Sequence, residues 1–102
     1  MNSELTREQA RALVEAAIAQ MSLPDGDSLV ICDEATLERR FGWVFFYDSK
    51  RHRETGDFRD AIAGNAPLIV NRYNGSIVHT GTARPITEYI AEYEASLAPH
   101  AT

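Results

Sequence analysis

The residues that could carry catalytic or metal chemistry are two histidines, two aspartates and one cysteine. His52, His79, Asp48 and Asp57 could converge as metal ligands or as an acid–base pair. Their spacing matches neither a His-x-x-x-His pair nor the Cys/His patterns of zinc sites, so we expect solvated polar residues in a loop and at a strand end. Cys32 could act as a nucleophile beside a histidine, but it has no local signature and a buried apolar thiol is favoured. The sequence therefore predicts no catalytic residue, no metal and no cofactor.

Acidic side chains are the other candidates for function. The chain has 10 Lys and Arg against 15 Asp and Glu, a formal net charge of −5. This balance argues against nucleic acid or an anionic membrane as a partner and favours a basic protein. Most of the negative excess falls in residues 24–41, and two further glutamates flank the apolar stripe of a predicted C-terminal helix. The candidate partner-binding residues are Asp33, Glu34, Glu38, Glu88 and Glu92.

Length and composition limit the architecture. A chain of 102 residues, 44% hydrophobic and 25% charged, has the size of one domain, residues 1–102, built on one apolar core. Its one cysteine cannot form an internal disulfide. The first residues lack the apolar region of a signal peptide, and no apolar run approaches the ~20 residues of a bilayer span, so we expect a cytoplasmic protein. A monomer and a homodimer both remain open.

Amphipathic helices are predicted near both ends of the chain. Thr6 and Gln9 form a capping box, and apolar residues then recur at helical spacing over about residues 7–21. Pro85 fits the first turn of a second helix, whose apolar stripe includes Tyr89 and Tyr93. Both helices therefore need an apolar surface to cover.

Strands are predicted between the two helices. Residues 29–32 and 36–39 favour strand on either side of a kink. Residues 43–47 favour a strand in which alternate side chains point to opposite faces. Trp43, Phe45 and Tyr47 then share one face, opposite the intervening Val44 and Phe46.

The second half of the strand region contains a hairpin. Residues 48–57 are polar and are predicted to be an exposed loop, and residues 58–63 could make one helical turn. Pro67 suits the first position of a strand over 67–70, because proline lacks an N–H. Asn74 and Gly75 are typical of a hairpin turn into a returning strand over 76–79.

The order of elements predicts an α+β fold: an antiparallel sheet of three to four strands, flanked by an N-terminal and a C-terminal amphipathic helix packed on one face. If both helices cover the face that carries Trp43, Val44 and Phe46 lie on the open face. An apolar patch of this kind needs a partner.

Short motifs follow one another in a fixed order over about residues 42–93. The most specific are a Gly-Asn-Ala-Pro strand entry and a Gly-Thr-Ala-x-Pro segment before a helix with two tyrosines. The full set is Gly42-Trp43-Val44-Phe45-Phe46-Tyr47, Thr55-Gly56-Asp57, Gly64-Asn65-Ala66-Pro67-Leu68-Ile69-Val70, Asn74-Gly75, Gly81-Thr82-Ala83, Pro85, Tyr89 and Tyr93. This set resembles the YrhB-like family, also known as immunity protein family thirty-five. Each motif residue also has a structural explanation, so the resemblance argues for fold more than for activity.

The resemblance implies a small bacterial protein of polymorphic toxin systems that binds and neutralises a cognate toxin without catalytic residues. The leading hypothesis is therefore an immunity-type binding protein whose partner is a basic toxin domain. The alternative is a heat-stable, chaperone-like protein, a role also attached to a member of the group, in which the Val44/Phe46 face binds unfolded clients or a second copy. An enzyme or ligand-binding module acting through His52 or His79 is a third class, and it predicts a histidine in a cleft.

Overall fold

The computed structural model of the protein describes residues 4–21, 28–55 and 66–97. Helices and strands follow one another without the alternation of a parallel sheet. In chain order they are α1 (Arg7–Ala19), β1 (Leu29–Ile31), a 3-10 turn (Asp33–Ala35), β2 (Leu37–Arg39), β3 (Gly42–Phe45), β4 (Tyr47–Ser49), α2 (Lys50–Thr55), β5 (Leu68–Asn71), β6 (Ile77–His79) and α3 (Ile86–Leu97). The predicted α+β class, with antiparallel strands between two terminal helices, is confirmed.

The strands form two antiparallel sheets. The larger has the order β2-β3-β5-β6, and its central pair aligns Trp43 with Val70 and Val44 with Ile69. The smaller sheet pairs β1 with β4. The single strand predicted over 43–47 is therefore divided at Phe46, whose carbonyl accepts from the Cys32 N–H at 2.8 Å and so serves the smaller sheet.

Helix α1 begins at the predicted capping box. The Gln9 N–H donates to Thr6 Oγ1 at 3.1 Å, and the Thr6 N–H donates to Gln9 Oε1 at 2.9 Å. These two bonds satisfy backbone donors that a helix N-terminus otherwise leaves unpaired. The buried face of α1 packs on one side of the larger sheet, in a cluster formed by Ala10, Val14, Ile18, Ile31, Trp43, Phe45, Tyr47, Leu68 and Val70.

Helix α3 packs on the other side of the larger sheet, so the prediction that both helices share one face is wrong. Ile90 of α3 is buried against Val44 and Ile69, the strand residues that point away from Trp43. Strand alternation produces two apolar faces in β3 and β5, and each face is buried under its own helix. The predicted open face carrying Val44 and Phe46 is covered. Val44 is fully buried, and Phe46 is half-buried against the cluster that Ile90 forms with Phe41, Val44 and Ile69.

The prediction that residues 48–57 form an exposed loop is wrong for residues 48–55, the part that the structure describes. Strand β4 extends to Ser49, and α2 follows directly. Ser49 is buried, and its hydroxyl accepts from the His52 N–H at 3.1 Å, the bond that a helix N-cap provides. The helical turn predicted for 58–63 and the motif residues Gly64 and Asn65 lie outside the described residues.

The predicted hairpin is confirmed, and a buried asparagine organises it. Strands β5 and β6 pair around a turn in which Gly75 has φ +72°. Asn71 is buried, and its Oδ1 accepts from the N–H of Tyr73 at 2.8 Å. Its Nδ2 donates to the Tyr93 hydroxyl of α3 at 2.9 Å. The turn and α3 are thus held together through one side chain.

Candidate partner-binding surface

Asp33, the first acidic candidate, lies on the 3-10 turn beside α1. Its two carboxylate oxygens accept from Arg11 Nε at 2.7 Å and from Arg11 Nη2 at 3.0 Å. Arg7, one turn earlier on α1, donates to the Asp33 carbonyl at 3.2 Å. Hydrogen bonding to the Arg11 guanidinium lowers the pKa of Asp33 below its usual value. Asp33 is therefore ionised at neutral pH and already holds a cation.

Glu34 and Glu38 continue this acidic segment, and each also has an arginine. Glu34 accepts from Arg53 Nη2 at 2.8 Å, and Glu38 accepts from Arg72 Nη2 at 3.3 Å. Hydrogen bonding to its own backbone N–H, followed by the bond to Arg53, lowers the pKa of Glu34. All three carboxylates of the segment therefore form ion pairs within the chain.

Glu88 and Glu92 share a single arginine on the opposite side of the sheet, where α3 lies. Arg84 contacts both carboxylate oxygens of Glu92, one of them at 2.9 Å, and lies 3.9 Å from a Glu88 oxygen. The hydrogen bonds from Arg84 lower the pKa of Glu92. The Arg84 guanidinium also stacks over the Tyr89 ring at 4.5 Å. The structure thus divides the acidic candidates into two sets, one on the β1–β2 segment and one on α3.

The arginine partners of the acidic candidates are neighbours that the sequence did not identify. Arg11, Arg53 and Arg72 lie 22, 19 and 34 positions from the carboxylates they bind. No local spacing rule connects residues so far apart. The carboxylates remain exposed, and ion pairs of exposed carboxylates contribute little to stability because water screens them. A partner that presents well-placed Lys or Arg side chains can therefore compete for them.

Among the candidate catalytic residues, His52 and Asp48 lie within hydrogen-bonding distance of each other. His52 Nδ1 lies 2.6 Å from Asp48 Oδ2, four residues earlier, at the junction of β4 and α2. His79 is exposed on β6, and Asp57 lies outside the described residues. Among residues 4–21, 28–55 and 66–97, no three His, Cys, Asp or Glu side chains come together as a metal site would require. The pair has the geometry of a structural hydrogen bond that ties α2 to β4.

Cys32 is a buried thiol, as its sequence context predicted. Arg53 Nη1 lies 3.0 Å from its sulfur. Burial raises the pKa of the Cys32 thiol, against the opposing influence of Arg53. Because a nucleophilic cysteine requires a thiolate, this environment does not favour covalent chemistry.

The described motif residues serve the fold. Trp43, Phe45 and Tyr47 are buried in the α1 cluster, and Arg72 stacks over the Trp43 ring at 4.8 Å. Pro67 directly precedes β5, and its carbonyl accepts from the Thr80 hydroxyl at 2.6 Å. Pro85 precedes α3. Gly81 lies close to Tyr89 of α3. A Cβ at position 81 would lie 2.6 Å from the Tyr89 hydroxyl oxygen, so the absence of a side chain allows this approach.

Fold and surface together define a small α+β protein in which the aromatic motif residues Trp43, Phe45 and Tyr47 build the core and the five acidic candidates lie on the exterior. The described helices include none that is both long and apolar enough to cross a bilayer. The profile of the family described as immunity protein 35 matches residues 8–96. The chain is 41% identical over 80 residues to the Escherichia coli (strain K12) protein YrhB, which is described as uncharacterized; the match covers 76% of this chain and 82% of that protein. No solved structure matches the chain. The protein belongs to the immunity protein 35 family.

Proposed function

We propose that this protein is an immunity protein that neutralises a cognate bacterial toxin by direct contact, without catalysis, in the cytoplasm of the cell that makes it. The observation that carries the proposal is the family match over residues 8–96. The packing of the motif residues supports it, because side chains committed to the core leave partner contact to the exterior. Specificity for one toxin would then depend on exposed side chains outside the motif.

The proposal assigns the first contact with the toxin to the acidic segment of Asp33, Glu34 and Glu38. The net charge of −5 favours encounter with a basic domain. The arginines bound to these carboxylates reduce the local field, but the carboxylates are exposed and can exchange these arginines for the partner's cations. Glu88 and Glu92 lie on the element that covers the opposite face, so we assign them a contribution to the overall field rather than to the contact.

Binding kinetics with a candidate toxin domain, taken from a toxin reading frame found next to this protein's gene, test the function. The purified domain is immobilised, and this protein is passed over it at low and at physiological salt. We expect specific, saturable binding whose association rate falls as salt rises, because salt screens the attraction between exposed charges. Failure to bind at any salt concentration would remove the proposed function.

A pair of charge-reversed variants tests the acidic segment in the same assay. Asp33→Lys/Glu34→Lys and Glu88→Lys/Glu92→Lys change the net charge equally, and each breaks arginine pairs. The first variant should associate about tenfold more slowly at low salt, and the second should be affected less. Equal slowing would mean that only net charge matters, and a larger effect of the second variant would move the contact to α3. Circular dichroism of both variants verifies that they fold.

A further inference from the structure

A groove between the β5–β6 turn and the C-terminal end of α3 forms a concave surface with an apolar lining. It has a volume of about 510 Å³, and Phe41, Tyr73 and Leu97 contribute its apolar lining. Tyr73 is 57% exposed and Leu97 is 37% exposed. They are two of the three large apolar side chains exposed in the described part of the chain, the third being Leu13 of α1. Exposed apolar side chains concentrated at one concavity indicate a binding surface.

The groove is preformed. Its turn side is held by Asn71, which accepts from the Tyr73 N–H and donates to the Tyr93 hydroxyl. Its floor is held by Phe41, whose ring meets the Tyr93 ring edge-on with centroids 4.9 Å apart. A surface fixed in this way loses little conformational freedom when it is covered.

Two opposite charges line the groove without pairing. Arg40 and Glu94 both border it, and neither side chain forms an ion pair or a hydrogen bond with any other described residue. This distinguishes Glu94 from the five acidic candidates above, each of which is bound by an arginine. One cation and one anion, neither of them paired within the described residues, thus flank an apolar lining.

We infer that this groove is a two-fold interface between two copies of the chain, in which Arg40 of each protomer meets Glu94 of the other while Tyr73 and Leu97 pack at the centre. A partner of one charge sign would be attracted by one of these residues and repelled by the other. A second copy satisfies both with a single symmetry operation, because in an isologous contact residue i meets j and j meets i. The inference concerns self-association and does not depend on toxin binding.

Sedimentation equilibrium of charge-reversed variants tests the interface. Wild-type protein should be dimeric at about 100 μM, and Arg40→Glu and Glu94→Arg should each weaken the dimer about tenfold or more, because each places like charges together. An equimolar mixture of the two variants should form a heterodimer of near wild-type affinity, since both of its contacts then join opposite charges. The double variant Arg40→Glu/Glu94→Arg should likewise form a dimer of near wild-type affinity. Glu8→Arg, an exposed α1 position with the same charge change as Glu94→Arg, is the matched control and should leave the dimer intact.

The mixing experiment separates a specific contact from a general charge effect. A monomeric wild type at this concentration would overturn the inference and would leave the groove to a different protein or to the chain's own residues 98–102. Single variants that remain dimeric would place any self-association elsewhere. Failure of the mixture and of the double variant to recover would equally overturn the pairing of Arg40 with Glu94. Both charged side chains are exposed, so the variants are expected to fold, and circular dichroism verifies it.

Discussion

Gly42, at the start of β3, shows how one residue sets the approach of two strands. Its φ of +149° lies in a region that side chains rarely adopt, and a Cβ there would lie 2.0 Å from the Val70 carbonyl oxygen. Gly75 also has a positive φ, of +72°, but a Cβ there would meet only leucine side chains, the nearest at 3.4 Å. A methyl group would therefore collide with backbone atoms of β5 at Gly42, whereas at Gly75 it would contact only side chains.

Replacing each glycine by alanine should separate conformational strain from steric conflict. Gly42→Ala should reduce the free energy of unfolding by about 3 kcal/mol or more, because rigid backbone atoms of β5 must move. Gly75→Ala should cost about 1–2 kcal/mol, the ordinary penalty of the left-handed conformation. Urea unfolding of both variants measures the difference. Equal losses would contradict the steric argument for Gly42.

Features of single residues could be predicted from the sequence where neighbouring residues determine them. The burial of Cys32 followed from its position in a short apolar strand, and the capping role of Thr6 followed from the spacing to Gln9. The arginines that bind Asp33 and Glu34 could not be predicted, because their positions depend on how α1 and α2 are placed in three dimensions. Asp33 and Glu34, which look uncompensated in the sequence, are thus compensated in the fold.

At the scale of elements, ion pairs connect the 3-10 turn to the helices on either side of it. Asp33 binds Arg11 of α1, and Glu34 binds Arg53 of α2. Each carboxylate has a pKa below its usual value. The free energy that these pairs contribute is small, since both partners are exposed, but it depends on pH.

Acid should weaken the ion pair between Asp33 and Arg11. The variant Asp33→Asn lacks this ionisable group, so its stability should depend less on acid. The pKa of Asp33 in the folded protein is depressed below 3.8, its ordinary value. Its stabilising effect is therefore present above the unfolded pKa and is lost as pH falls through the folded pKa. From about pH 5 to about pH 2, wild-type protein should lose more stability than Asp33→Asn does. Thermal unfolding across this range measures both; parallel curves would contradict a role for the Arg11–Asp33 pair.

The arrangement of elements was predicted only in part. Alternation in residues 43–47 correctly indicated two apolar faces, and the Asn74-Gly75 turn correctly indicated a hairpin. Which helix covers which face could not be decided, because an amphipathic helix is compatible with either side of a sheet that is apolar on both. Helix α2 was missed because its sequence is polar, and its start depends on a capping serine at the end of β4.

The whole molecule carries two surfaces to which we assign different partners. An acidic segment with exchangeable ion pairs is assigned to the toxin, and the groove bordered by Arg40 and Glu94, which have no side-chain partner in the described part of the chain, is assigned to a second copy. Nothing in either assignment needs a reactive group. We propose that this member of the immunity protein 35 family acts by occupying its toxin rather than by modifying it.

A titration of the toxin domain's activity with the purified protein tests that claim most directly. Inhibition by contact predicts that activity falls in proportion to the protein added and is abolished at about one protomer per toxin domain, whatever the incubation time once binding is complete. Loss of activity at a small fraction of an equivalent, deepening with time, would mean that each molecule acts on many toxin domains. That result would contradict the account.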